Sequence, residues 1–128
     1  MSRPSFIKSR YNSFRFAFKG MIAVFRSEPN MHLHVLASLI VLVMAYRFEV
    51  TRVEWCLLIL CMGLVWMAEI FNTSIETLTD LVSPEQNLWA GKTKDLAAGG
   101  VLMAAITSVA VGLFIFIPYW VDYVNTDL

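Results

Sequence analysis

The chain has 128 residues, room for one domain, and 58% of them are hydrophobic while only 16% are charged. A soluble domain sits nearer half apolar and a quarter charged, so this balance excludes an ordinary soluble fold and points to an all-α integral membrane protein. Ten basic and ten acidic residues cancel to a net charge of zero, and no nucleic-acid partner is expected.

Zero net charge hides an asymmetry along the chain. The first 26 residues carry Arg3, Lys8, Arg10, Arg15, Lys19 and Arg26 and no acid. No short apolar core with a small-residue cleavage site follows them, so no cleaved signal peptide is expected. Within residues 6–26, Ile7, Tyr11, Phe14, Phe18, Met21, Ile22 and Phe25 recur at spacings of three and four, the helical period. Lys8, Arg15, Lys19 and Arg26 fall largely off that stripe, which predicts an amphipathic helix lying on the membrane surface.

SEPN, Ser27 to Asn30, then breaks the helix, because Pro29 restrains Glu28 to an extended conformation. A first span follows over residues 31–48, with Leu33 to Tyr46 uncharged if the imidazole of His34 is neutral. His32 and His34, two residues apart, point in different directions on a helix, so packing rather than a shared metal is expected of them. RFEVTRVE, Arg47 to Glu54, is a short outer connection. The second span runs over 55–79 and extends into the cytoplasm, and its Cys56 and Cys61 are too badly placed on one helix to form a disulfide. Leu81 to Asp95 is the inner connection, punctuated by Pro84 and Gly91.

The third span covers 95–117; Leu96 to Ile117 is 22 residues without a charge, enough to cross a ~30 Å hydrocarbon core at ~1.5 Å per residue. Gly100, Ala104, Ser108 and Gly112 recur every four residues along it, a small-residue stripe suited to close helix packing in lipid. Three spans and the positive-inside rule put the N-terminus in the cytoplasm and the tail, with Asp122 and Asp127, outside. The whole chain, residues 1–128, reads as one membrane domain.

The second span ends in AEIFNTSIETLTD, Ala68 to Asp80. At ~100° per residue Glu76 lies about 20° to one side of Glu69 and Asp80 about 20° to the other, with Asn72 on the same face. Counted from Trp55, Glu69 sits about 21 Å along the span and Glu76 about 31 Å, so the acids run from lipid to water. Charge inside a bilayer is costly and usually functional. Oxygen ligands of this kind, with Glu28 at the same surface, suit Mg²⁺ shared with phosphate oxygens, and Lys94 offers a point charge to a phosphate. Those are parts for moving a phosphoryl group onto a hydroxyl at the membrane surface. The absence of a Walker motif, a GxGxxG loop and an HRD-type loop excludes a soluble kinase fold. A small proton-coupled transporter using Glu69 as its proton and substrate site fits the same acids, although such sites normally lie near the midplane between repeats.

AEIFNTSIETLTDLVSPE followed by GKTKDLAAGGVL, with Lys19–Gly20 and SEPNMHLH upstream, resembles the prokaryotic diacylglycerol kinase family of small three-span membrane lipid kinases, which includes undecaprenol kinases. The resemblance covers nearly all of the chain from Asn12 to Pro118. It implies a homotrimer in the bacterial cytoplasmic membrane, with ATP as co-substrate, Mg²⁺ as cofactor and active sites shared between subunits. By the same resemblance Glu69 is the general base. Glu69, Asn72 and Ala98 meet the lipid alcohol, and Glu28 and Glu76 hold the metal. The nucleotide falls to Arg10, Phe16, Glu28, Glu76, Asp80, Glu85, Gln86, Asn87, Lys94 and Asp95. Phe16 stands where many diacylglycerol kinases have tyrosine, and His34 where they have glutamate. NMHLH and DLVSPE look more like the undecaprenol kinase branch.

Overall fold

The computed structural model describes residues 6–85 and 87–126, and its regular elements are all helices. α1 spans Phe6–Ser27, α2 Pro29–Arg47, α3 Arg52–Val82 and α4 Leu88–Thr126. The last three are each long and apolar enough to cross a membrane, as the three uncharged runs predict. Arg3, Gln86 and Asp127 lie outside the described residues.

Each break between helices has a local cause. Glu28 takes an extended conformation, φ −99° and ψ 112°, because Pro29 opens α2, while its amide still donates to the Val24 carbonyl. Between α2 and α3 the chain reverses through Glu49, at φ 51°, where a side chain is strained unless the surroundings hold it. They do: Phe48 N donates to Met44 O and Val50 N to Ala45 O. Thr51 and Glu54 then close a reciprocal capping box at the start of α3. Tyr119, reaching over from α4, donates its hydroxyl to the same Glu54 carboxylate at 2.8 Å.

The main interface is between α3 and α4. Ala104 is buried there, and the Ser108 hydroxyl lies 3.3 Å from the Cys61 carbonyl across the interface, the close approach that small residues allow. Beside the α2–α3 turn Ala45, Val50, Leu58, Ile115 and Phe116 form a buried cluster. The Phe48 ring meets Phe116, Tyr119 and Trp120 there, with centroids 6.1–6.4 Å apart. Cys56 and Cys61 are free thiols.

Two boundaries differ from the expected spans. α4 starts at Leu88, so Gly91 lies within the helix instead of in the connection. The reason is Asn87, whose Oδ1 accepts from Ala90 N at 2.8 Å and so caps the helix. At the far end α4 continues through Pro118 to Thr126. A proline inside a helix removes one backbone bond and costs ~3 kcal/mol or more. Here Tyr119 and Trp120, the next two residues, are pinned by Phe48, and the aromatic packing carries the helix across. α3 and α4, with 31 and 39 residues, measure roughly 46 and 58 Å at ~1.5 Å per residue and outrun a ~30 Å core. Replacing the cap, Asn87→Ala, is expected to lower stability by about 1 kcal/mol, measured by reversible unfolding in mixed detergent micelles.

Candidate active site

Glu69 sits on the face of α3 that turns toward α2 and α4. Period and packing agree here, because Leu58, Val65, Glu69 and Asn72 are the buried residues of α3 and recur at helical spacing. Only 1% of Glu69 is exposed, in a helix whose environment is otherwise hydrocarbon. Its Oε2 and the Asn72 Oδ1 have no hydrogen-bond partner. Buried polar atoms are nearly always satisfied, so two orphaned oxygens on residues one turn apart are unusual. Both line a pocket of about 240 Å³ together with Asn30, His34, Ala98 and Ala105. The three residues assigned to the lipid alcohol, Glu69, Asn72 and Ala98, therefore face one cavity.

The charges continue toward the aqueous end. Glu28, at the α1–α2 junction, and Glu76, two turns along α3, both lie close enough to Glu69 for their charges to act on it. Asn72 Nδ2 donates to Glu76 Oε1 at 3.2 Å, which aims the Glu76 carboxylate along α3. Among the described residues no group of three His, Cys, Asp or Glu forms a self-sufficient metal cage. The donor set still fits Mg²⁺, which is usually held by one or two carboxylates plus phosphate oxygens and waters. Glu28 and Glu76 are two carboxylates near enough to Glu69 for their charges to act on it.

One turn beyond Glu76, Asp80 is ion-paired with Lys94 of α4. The pair stands at a pocket of about 700 Å³ that also takes in Glu85, Asn87, Gly91 and Asp95. Five of the residues assigned to the nucleotide, Asp80, Glu85, Asn87, Lys94 and Asp95, thus border a single cavity between the end of α3 and the start of α4. Gln86 lies outside the described residues. Arg10 and Phe16 line neither cavity. They stand exposed on α1, with the Arg10 guanidinium 5.6 Å over the Phe6 ring. The reason is that α1 meets the bundle through its last two turns, where Val24 is buried and Phe25 packs edge-on to Trp66.

Three features escaped the sequence reading. His34, expected to pack, points its Nε2 at Glu69 Oε2 from 4.0 Å; its departure from the glutamate common in relatives was the available signal. His32, by contrast, sits with Nε2 2.7 Å from the Phe25 carbonyl and ties α1 to α2. Asn87, assigned only to the nucleotide, also caps α4. Because Glu69 is buried with an unsatisfied oxygen, Glu69→Met is expected to raise stability by about 1–3 kcal/mol, measured by the same micellar unfolding. A loss of stability would mean that the carboxylate is satisfied in the assembled protein.

The match to known proteins agrees with these parts. The family profile described as prokaryotic diacylglycerol kinase matches residues 15–116. The undecaprenol kinase of Bacillus subtilis is 34% identical over 108 residues, 84% of this chain and 88% of its own. The diacylglycerol kinase of Synechocystis is 34% identical over 107 residues, 83% of this chain and 61% of its own. That of Escherichia coli K12 is 31% identical over 94 residues, 73% of this chain and 77% of its own. None of these likenesses favours the transporter alternative. With three helices able to cross a membrane and a profile match running from α1 almost to the end of the third of them, the chain belongs to the prokaryotic diacylglycerol kinase family of membrane lipid kinases.

Proposed function

We propose that this protein transfers the γ-phosphoryl group of ATP directly to the primary hydroxyl of a membrane lipid alcohol, with undecaprenol preferred over diacylglycerol. The observation that carries the reading is the Glu69 carboxylate, buried at the head of a membrane-facing pocket with one oxygen unpartnered. The lipid enters laterally from the bilayer and the nucleotide from the cytoplasm, into the cavity at Asp80 and Lys94. Glu69 takes the hydroxyl proton as the alcohol oxygen attacks the γ-phosphorus in line; the bond to the β–γ bridging oxygen breaks and ADP leaves. Asn72 positions the hydroxyl and holds Glu76 in place. Glu28 and Glu76 would hold Mg²⁺, which when bound neutralises charge on the phosphate oxygens. Lys94 exchanges its Asp80 partner for a phosphate oxygen, and Asp95, Glu85, Gln86 and Asn87 border the nucleotide. Most of the catalysis is positioning and electrostatics, since phosphoryl transfer asks little covalent chemistry of the protein.

The preference for undecaprenol rests on NMHLH and on the Bacillus subtilis relative, whose name is that of an undecaprenol kinase. α1 lies on the cytoplasmic surface of the bacterial inner membrane, a placement supported by its exposed Phe6, Ile7, Tyr11, Phe14, Phe18 and Ile22 beside basic residues. The N-terminus is cytoplasmic and the C-terminus external. The working form is a homotrimer, in which Arg10 and Phe16 close over a nucleotide together with residues of a neighbouring copy.

Labelled ATP offered to the purified protein in mixed micelles, with undecaprenol and diacylglycerol side by side, tests the reading; absence of transfer to either in a folded oligomer with Mg²⁺ overturns it. Glu69→Gln is expected to lower kcat by about 10²–10⁴-fold, the usual worth of a general base, while Mg-ATP binding persists. Glu76→Gln is expected to weaken Mg-ATP binding as well, read as a raised KM for ATP.

A further inference from the structure

The packing of α2 on α3 sets an imidazole beside the buried carboxylate. His34 Nε2 stands 4.0 Å from Glu69 Oε2, the oxygen that accepts no hydrogen bond. Both side chains line the same cavity of about 240 Å³. Their separation is within the range of an ion pair and about 1 Å beyond that of a hydrogen bond. His34 also borders the neighbouring apolar cavity of about 320 Å³, so the ring has open space beside it in which to turn and close the gap.

The charges around Glu69 decide what an imidazole does there. Those that act on it are Glu28 from the α1–α2 junction, Glu76 from its own helix and His34 from α2. The Asn30 amide reaches it from the first turn of α2. From α4 the cavity takes Ala98, Val101, Leu102 and Ala105, which carry no charge. Asp80, further along α3, is paired with Lys94, and His32 has its Nε2 at the Phe25 carbonyl. Among the described residues, His34 is thus the group that can set a positive charge among these carboxylates.

An ionised carboxylate that is only 1% exposed is costly unless it is paired, yet a general base must be ionised to take a proton. An imidazolium at Oε2 resolves that conflict, because the pair buries no net charge. The partners are also unequally exposed, 21% for the His34 side chain against 2% for that of Glu69. Protons therefore have a way out on the histidine side.

We propose that His34 is the positioning residue of Glu69: as an imidazolium it donates Nε2–H to Oε2, keeps the carboxylate ionised and leaves Oε1 for the substrate hydroxyl. The proposal rests on Glu69 as general base of the lipid-kinase reading, and it deepens that reading. In the reaction the hydroxyl O–H breaks and its proton goes to Glu69. The alcohol oxygen bonds to the γ-phosphorus, the bond to the β–γ bridging oxygen breaks and ADP leaves. Glu69 is then neutral beside an imidazolium. His34 gives its proton to water, takes the one that Glu69 holds and again faces an ionised carboxylate. One proton leaves by this route in each turnover, and the pair ends as it began.

The test uses His34→Gln, which keeps an N–H donor without the charge, and His34→Leu, which keeps neither. In the full-length protein, with undecaprenol and dioleoylglycerol as acceptors, both variants are expected to lower kcat by about tenfold or more while KM for ATP stays within about twofold. Wild-type kcat in either variant overturns the proposal. A rise in KM for ATP as large as the loss of kcat also overturns it, since that marks a collapsed site. A second measurement needs neither variant. The chain holds two histidines, and with both ¹⁵N-labelled their ring nitrogens report bound protons directly by solid-state NMR in bilayers. The His32 signals are identified by their absence in His32→Gln. At neutral pH wild-type His34 is expected to carry a proton on both ring nitrogens and, in Glu69→Gln, on one, with His32 the same in both proteins. A single ring proton on His34 in the wild type, or a doubly protonated ring that survives Glu69→Gln, overturns the proposal. If the wild type phosphorylates neither lipid, the kinase reading fails, and the spectra still decide whether the pair exists.

Discussion

A carboxylate buried inside the hydrocarbon-spanning part of α3 is the constraint on which the rest of this structure depends. Glu69 is only 1% exposed and one of its oxygens has no hydrogen-bond partner. Leaving such an atom unsatisfied costs of the order of 1–3 kcal/mol, so the surrounding helices must be held together by something else. That something is the apolar contact of α3 with α4 and the buried cluster beside the α2–α3 turn. The packed cluster and the buried carboxylate thus stand apart along the same helices.

The two ends are built by different physics. At the α2–α3 turn the chain reverses tightly through Glu49, and Thr51, Glu54 and Tyr119 tie the turn, α3 and α4 to one carboxylate. Phe48 stacks into the aromatic cluster of α4, which also carries the helix past Pro118. At the other end the contacts are few. α1 reaches the bundle through Val24, Phe25 and His32, and the Asp80–Lys94 pair lies beside an open cavity. The end that carries the polar cavities is thus the less tightly tied one.

The polar groups at the inner end form a graded path. Asn72 donates to Glu76 along one helix face, and Asp80 pairs with Lys94 on the next helix. Glu69, Asn72, Glu76 and Asp80 follow one another at about one turn per step and are carried by one helix, α3. Sites on helices hold their geometry better than sites on loops.

Composition and periodicity determined the helical class, the three spans and the shared face of Glu69, Asn72, Glu76 and Asp80, because these follow from residue type and from 3.6 residues per turn within one helix. The family was legible in the same way, since its motif is local to α3 and the start of α4. What the sequence did not determine is everything that depends on which helix faces which. The approach of His34 to Glu69, the capping of α4 by Asn87 in place of a break at Gly91, and the passage of α4 through Pro118 each depend on a partner distant in sequence or on backbone geometry that residue type leaves open. The exposure of Arg10 and Phe16 on α1 has the same origin, because only the packing of Val24 and Phe25 sets how α1 leaves the bundle. An apolar cavity between α2, α3 and α4 is the clearest case: its lining is ordinary apolar residues on three helices, and only the packing of those helices brings them together.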